Sequence, residues 1–277
     1  GAVDIDGGTI DDTAIGYGED RKPSERRKMN IDVTVGAAID PIRLRAVPGA
    51  DRQFLLNVIR GIWHRNLSRP DVSLSAPTCD EACDIEDLGP MERWLGELEA
   101  RGGRVHVLVN NAGVLRKGDL IDTPAEDFDH VMNVNVRATF LLAQTMARHM
   151  STRGGGVILN AASYAVTLAS ISHGVYAASK AALFALTRSM AAEWAPHGIR
   201  VNAYSPGVVP TRMTEPAIAA HEAAMKGQIS LHRLGTGQEV ASGVLFLASD
   251  ASSYITGVNL DLSGGKLIVQ NPGAAWD

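Results

Sequence analysis

Gly156-Val157-Ile158-Leu159-Asn160-Ala161-Ala162-Ser163 is the stretch that decides the fold. Gly156 to Ala162 has the length and apolar composition of a buried strand, which puts Ser163 at a strand's carboxyl end. In an open parallel α/β sheet that edge is where ligands and catalytic groups collect. A serine in a polar loop is more often a turn former, so its meaning depends on its neighbours along the chain. Thirteen residues later stands Tyr176-Ala177-Ala178-Ser179-Lys180, on a segment that reads as helix. Residues at i and i+4 share a helix face, so Tyr176 and Lys180 are neighbours. An ammonium held against a phenol favours the phenolate and draws its pKa down from about 10. Tyr176 is therefore a candidate acid/base; the bland alternative is a half-buried tyrosine beside a solvated lysine.

Towards the amino end, Val105-His106-Val107-Leu108-Val109 reads as a second strand running into Asn110-Asn111-Ala112-Gly113. Small and amide residues there let the backbone approach a ligand. The next helix opens at Thr123-Pro124-Ala125-Glu126, with a hydroxyl at N-cap, Pro at N1 and Glu at N3. It carries Phe128, Val131, Met132 and Asn135. Asn135 lies in an apolar setting, so its amide must find a backbone group or a water. Structural satisfaction and a place in a proton relay are both open. Towards the carboxyl end, Ala181 to Trp194 continues the Tyr176 helix, His197-Gly198-Ile199-Arg200 stops it, and Val201-Asn202-Ala203-Tyr204 is a further strand.

Together these residues resemble the short-chain dehydrogenase/reductase family. The likeness is carried by Asn110-Asn111-Ala112-Gly113, Asn135, Ser163, Tyr176, Lys180 and Pro206-Gly207-Val208-Val209-Pro210-Thr211. Ser253-Tyr254-Ile255-Thr256-Gly257 and Asp261-Leu262-Ser263-Gly264-Gly265 complete it, in the family's order from about residue 83 to residue 265. The segment from Asn110 to Gly265 most resembles 3-oxoacyl carrier-protein reductases and the related sugar or polyol dehydrogenases.

The resemblance implies NAD or NADP as cofactor and a small-molecule carbonyl or alcohol as substrate. Tyr176 would exchange the proton on the substrate oxygen while hydride moves to or from the nicotinamide. Lys180 would lower the pKa of Tyr176 and bind the nicotinamide ribose. Ser163 would hydrogen-bond the substrate oxygen, and Asn135 would hold a water linking Lys180 to solvent. Asp84 and Ile85 would contact adenine, although Asp84 also suits a cap or turn. Asn110, with Ala112 and Gly113 after it, would lie near the adenosine half. Pro206 and Gly207 would turn the chain so that Val209 offers backbone groups to the carboxamide, with Thr211 near the same end. A homodimer or homotetramer is implied, as is a mobile lid over Met213 to Leu234.

The chain departs from its family before residue 83. A dinucleotide fold opens with a strand, a glycine-rich turn and a helix whose amino end receives the pyrophosphate. The family's Gly-x-x-x-Gly-x-Gly does not occur there. Gly36, after Val33-Thr34-Val35, lies at about the expected distance before Asn110, yet Asp40-Pro41-Ile42 follow; Gly16-Tyr17-Gly18 lies too far upstream. Asp51 to Arg65 has an apolar helix face and Asn66 to Pro77 reads as loop. Arg60 and Arg65 give a faint pointer to NADP. Three accounts stand: a diverged cofactor half, an altered reading frame of an ordinary gene, and a replacement module in a protein that no longer uses a nucleotide.

Composition narrows the rest. The chain has 277 residues, 45% of them hydrophobic, enough for one sizeable core. The net charge of −5 argues against nucleic acid or an anionic membrane as partner. No basic start with a long apolar run is present, so the expected setting is cytoplasmic. Cys79 and Cys83 are not spaced as a redox or zinc pair, the histidines form no ligand-spaced cluster, and no metal is expected. His173, just before Tyr176, is either a loop-surface histidine or substrate-facing. The expected architecture is one Rossmann-like α/β domain over residues 1–277, a doubly wound, mostly parallel sheet with helices on both faces. Residues 1–82 form its atypical cofactor half and 83–277 its catalytic half. The expected activity is NAD(P)-dependent interconversion of a ketone and a secondary alcohol, and the alternative is a catalytically silent scaffold.

Overall fold

The apolar runs become strands of one parallel sheet. The computed structural model describes residues 33–35, 85–100, 102–211 and 213–276. Its strands are β1 (Val33–Val35), β2 (Val107–Asn110), β3 (Gly156–Ala161), β4 (Ile199–Pro206) and β5 (Asn259–Leu262). They lie side by side in that order, and every neighbouring pair is parallel. The helices are α1 (Gly89–Ala100), α2 (Ala125–Met132), α3 (Thr139–Ser151), α4 (Gly174–Trp194), α5 (Glu215–Gly227) and α6 (Gly237–Ala248).

Parallel strands joined by helical crossovers are buried on both faces, which is why they read as continuous apolar runs. The period of two then sorts their side chains. Leu108, Ile158 and Val201 meet Leu95, Met146 and Met190 of α1, α3 and α4 on one face. Val107, Val109, Val157 and Leu159 meet Val240, Ala241 and Val244 of α6 on the other. Leu108, Ile158 and Leu159 are fully buried, each worth about 1.5–3 kcal/mol of transfer from water. The sheet is thus doubly covered, as a Rossmann-like fold requires. His149 of α3 pins the entry to β2: its Nε2 accepts the Val105 N–H at 3.0 Å, so the proton sits on Nδ1, which donates to Glu99 Oε1 of α1 at 2.6 Å. That bond holds the Glu99 carboxyl below the usual carboxylate range.

Three expectations shift. The second strand starts at Val107 rather than Val105 and takes in Asn110, whose register partner is Asn160. Thr123 does not cap α2: Pro124 holds the N-cap position, and the Thr123 hydroxyl instead donates to Asp119 O at 2.9 Å. The 3-10 turn Leu120–Asp122 begins just after that carbonyl and brings it within reach. The helix expected to carry Phe128 through Asn135 ends at Met132, and Asn133–Ala138 is π-helical before α3 begins. π-helical turns bond i to i+5 and are common at functional sites.

Farther on, the Tyr176 helix ends as expected, with Gly198 in the left-handed region at φ 71°. The stretch from Met213 to Leu234 contains α5, which breaks at His221 (φ −141°) and buries none of its residues. Gly16, Gly18, Gly36, the helix Asp51–Arg65 with Arg60, the loop 66–77, Cys79, Cys83 and Asp84 lie outside the described residues.

Candidate active site

The site gathers where β2 and β3 end. Ser163 comes two residues after β3 and caps the 3-10 turn Tyr164–Val166, its Oγ accepting the Ala165 N–H at 3.1 Å. That contact uses a lone pair and leaves the hydroxyl proton for another partner. Tyr176 stands on the first turn of α4 and Lys180 one turn later, as their spacing requires. The Lys180 ammonium donates to Ala161 O, the last carbonyl of β3, at 2.7 Å and lies 5.8 Å from the centre of the Tyr176 ring. Ser163 and Lys180 are buried.

Electrostatics here differ from the expectation. Burial pushes the Tyr176 phenol up from its ordinary value; a hydrogen bond from Ser163 opposes the rise and Tyr164 adds to it. Burial also pulls Lys180 down to about 8. Lys180 therefore does not bring Tyr176 below its ordinary value in this state. Its ammonium is directed at the strand carbonyl, and loss of water around the phenol outweighs the distant charge.

Asn135 is fully buried in the π-helical turn, and its amide is engaged by protein. Oδ1 accepts the Val114 N–H at 2.8 Å, and Nδ2 donates to Val114 O at 2.9 Å and to Ser179 Oγ at 3.0 Å. Ser179 in turn donates to Tyr176 O at 2.7 Å. Of the two readings that the sequence leaves open, structural satisfaction accounts for both amide hydrogens. Asn135 laces the loop after β2 to the helix that carries Tyr176 and Lys180. Ser179 escapes a reading of the sequence because a serine inside a helix carries no signal of its own. Gly113 closes this layer: a Cβ there would stand 3.1 Å from Lys180 Nζ and 3.3 Å from Asn135 Oδ1.

On the other side of the loop, Asn110 donates to Asn160 Oδ1 at 2.9 Å, and Asn160 donates to Thr187 Oγ1 at 3.0 Å. Asn110 Oδ1 is buried with no partner. The residue Asn110 borders a small cleft with Ile85, Asn111, Ala112, Thr139 and Leu142. An orphaned acceptor beside Ile85 and Ala112 fits a ligand that brings a hydroxyl or amino donor, as a nucleoside does. Pro206 ends β4, and the Gly207 N–H remains in the sheet, bonded to Leu262 O at 3.1 Å. The Val209 carbonyl accepts the Thr214 hydroxyl at 2.5 Å, and the Thr211 N–H donates to Thr214 Oγ1 at 2.9 Å. The carbonyl of Val209 is thus held by the chain itself. His173 Nδ1 bonds Ile171 O at 2.7 Å, which fits the loop-surface reading. A cavity of about 170 Å³ opens beside Val175, lined also by Arg116, Asp119, Thr123 and Asp127. Among the described residues no group of three or more His, Cys, Asp or Glu is placed to hold a metal, and no helix is long and apolar enough to cross a membrane.

The model of a family described as enoyl-(acyl carrier protein) reductase matches residues 69–266. The chain belongs to the short-chain dehydrogenase/reductase family. The match begins before the residue 83 at which the motifs become legible. The NAD-dependent glycerol dehydrogenase of Listeria innocua is 41% identical over 186 residues, covering 67% of this chain and 73% of that protein. A 3-oxoacyl-[acyl-carrier-protein] reductase of Thermotoga maritima is 37% identical over 185 residues, 67% of this chain and 75% of its own. The structure of a gluconate 5-dehydrogenase from Burkholderia cenocepacia in complex with NADP and tartrate superposes with a TM-score of 0.71. It is 26% identical and covers 87% of this chain and 96% of that one. The chain is accordingly an oxidoreductase of this family, similar to carrier-protein reductases and to polyol and sugar-acid dehydrogenases.

Proposed function

We propose that the protein interconverts a ketone and a secondary alcohol on a small molecule, using NAD or NADP and Tyr176 as acid/base. The observation that carries this reading is the convergence of Ser163, Tyr176 and Lys180 at the carboxyl end of β3, with Lys180 held by the Ala161 carbonyl. The nicotinamide supplies or accepts the hydride. In the direction of reduction, the protonated Tyr176 phenol donates to the substrate oxygen, and the Ser163 hydroxyl turns its proton from the phenol to that oxygen, which then takes two hydrogen bonds. The raised pKa of Tyr176 keeps it an acid at neutral pH, which suits reduction. In oxidation the same group must first lose its proton. Lys180, charged below about pH 8, favours the phenolate as it forms. Asn135 and Ser179 hold this helix against the loop after β2 and position it.

Asn110, Ile85, Ala112 and Gly113 would take the adenosine side of the cofactor, Tyr176 and Lys180 the nicotinamide ribose, and Pro206, Gly207, Val209 and Thr211 the carboxamide end. Support comes from the orphaned Asn110 Oδ1. Asp84 belongs to the same set by resemblance. We read residues 1–277 as one domain, assembled as a homodimer or homotetramer in the cytoplasm. Family resemblance supports this, and light scattering on the purified protein tests the assembly. The absence of Gly-x-x-x-Gly-x-Gly before residue 83 favours a second reading, a silent scaffold. Titration with NADH and NADPH, followed by nicotinamide fluorescence, separates the two: binding is expected, and none at millimolar cofactor sinks the enzyme.

A further inference from the structure

Lys266 is a buried cation for which the proposed reaction has no use. It lies just past Gly264 and Gly265, both at positive φ (68° and 83°), in the turn after β5. Its N–H is fixed by Ser263 Oγ at 3.2 Å. Its ammonium donates to Gln228 Oε1 at 2.7 Å and stands 5.3 Å from the centre of the Tyr164 ring. Tyr164 is the residue after Ser163, and it is close enough to Tyr176 to act on that phenol electrostatically. Lys266 therefore stands against the ring of the residue that follows Ser163. Among the described residues no carboxylate pairs with it.

An ammonium partly withdrawn from water without a counter-ion is destabilised, and a neutral amide with an aromatic face offsets only part of that. Burial also lowers the pKa of this lysine. We propose that Lys266 and Gln228 form the subsite for a substrate carboxylate, beside the ring of Tyr164. The assignment rests on the reaction proposed above and names the substrate class: a hydroxy or keto acid whose carboxylate is several carbons from the reacting centre. One ammonium has two hydrogens free after Gln228, which matches the single charge and two oxygens of a carboxylate. A phosphate dianion would leave charge uncompensated.

The test uses the full chain and two pairs of probes, D-gluconate against D-glucitol and D-ribonate against ribitol, each with NAD⁺ and NADP⁺. Lys266→Met keeps the apolar stem and removes the charge. It should lower the acid-to-alditol ratio of kcat/KM by about 10- to 100-fold, through KM rather than kcat. Lys266→Arg, which keeps a cation, should restore most of the ratio and shows that the site still folds. An unchanged ratio in Lys266→Met overturns the subsite. Calorimetric binding of the same probes to Tyr176→Phe separates this inference from the reaction. Acids that bind more tightly than alditols, and lose that advantage with Lys266→Met, uphold the subsite even where no turnover occurs. Acids that bind no better than alditols overturn it even where turnover is seen.

Discussion

Lys180 gives its ammonium to a main-chain carbonyl at the end of β3 from the second turn of a 21-residue helix, whereas Lys266 gives its own to a side chain, Gln228, at the exposed end of α5. Both lysines are buried and both have lowered pKa values. The difference lies in what holds them. The partner of Lys180 is a backbone group, Ala161 O, and the helix that carries it is fixed by fully buried side chains, the Asn135 amide bonded to Val114 and to Ser179, which bonds Tyr176 O. Such groups cannot be exchanged for a ligand without unsatisfying the fold. Around Lys266 the partner is a long side chain that can swing away and be replaced. The first region is built to hold chemistry in place; the second is built to accept something.

The comparison can be broken from its rigid side first. Replacing Tyr176 by Phe removes only the transferable proton, so kcat should fall by about 10²- to 10⁴-fold, with a far smaller change in NADPH affinity. Turnover close to wild type would mean that another group is the acid.

Next in size is the pH dependence of stability. The folded pKa of Lys180, about 8, lies below the ordinary 10.5, so the unfolded chain binds more protons between those values. The Lys180 contribution to stability therefore rises with pH through that window, by about 1.4 kcal/mol per pH unit at its steepest. Urea unfolding across pH 8 to 10.5 should show this rise in the wild type relative to Lys180→Met. Parallel curves would show that the ammonium is not buried as described.

Asn135→Ala sharpens the contrast between satisfied and exchangeable partners. It leaves the Val114 N–H and C=O and the Ser179 hydroxyl without their partner and should cost on the order of 1–3 kcal/mol in urea unfolding. A loss of activity with no loss of stability would return Asn135 to the role of relay. The smallest effect belongs to the exposed capping box of α6, Thr236 with Glu239, which stands on the face of the sheet opposite α4. Thr236→Ala should lower stability by about 1 kcal/mol and leave the kinetic constants alone. A kinetic effect would show that the two faces are coupled.

Much of the rigid region is legible in sequence because its signals are local. An apolar run makes β3, its end places Ser163 at the carboxyl edge of the sheet, and i,i+4 spacing brings Lys180 beside Tyr176. The features that escape depend on groups remote in sequence. The π-helical turn at Asn133–Ala138 answers to packing between the loop after β2 and α4, and no residue pattern announces it. Thr123 has the pattern of a helix cap because that pattern is local, but the 3-10 turn before α2 offers it Asp119 O instead. The shift of Tyr176 upward rather than downward follows from burial, which spacing does not report. Lys266 carries no signal in the sequence, because its partners Gln228 and Tyr164 come from other parts of the chain.

Periodicity and short spacings are properties of the chain before it folds. They suffice for the central strands β2, β3 and β4, the helix that carries Tyr176 and Lys180 on one face, the order of the motifs and the family. Three further features needed the packed molecule: Asn135 laces the site, Lys180 is aimed at Ala161 O, and a second buried lysine stands against the ring of Tyr164. Burial and hydrogen-bond direction depend on which distant segments meet. That is a property of the packed sheet, not of any single stretch of it.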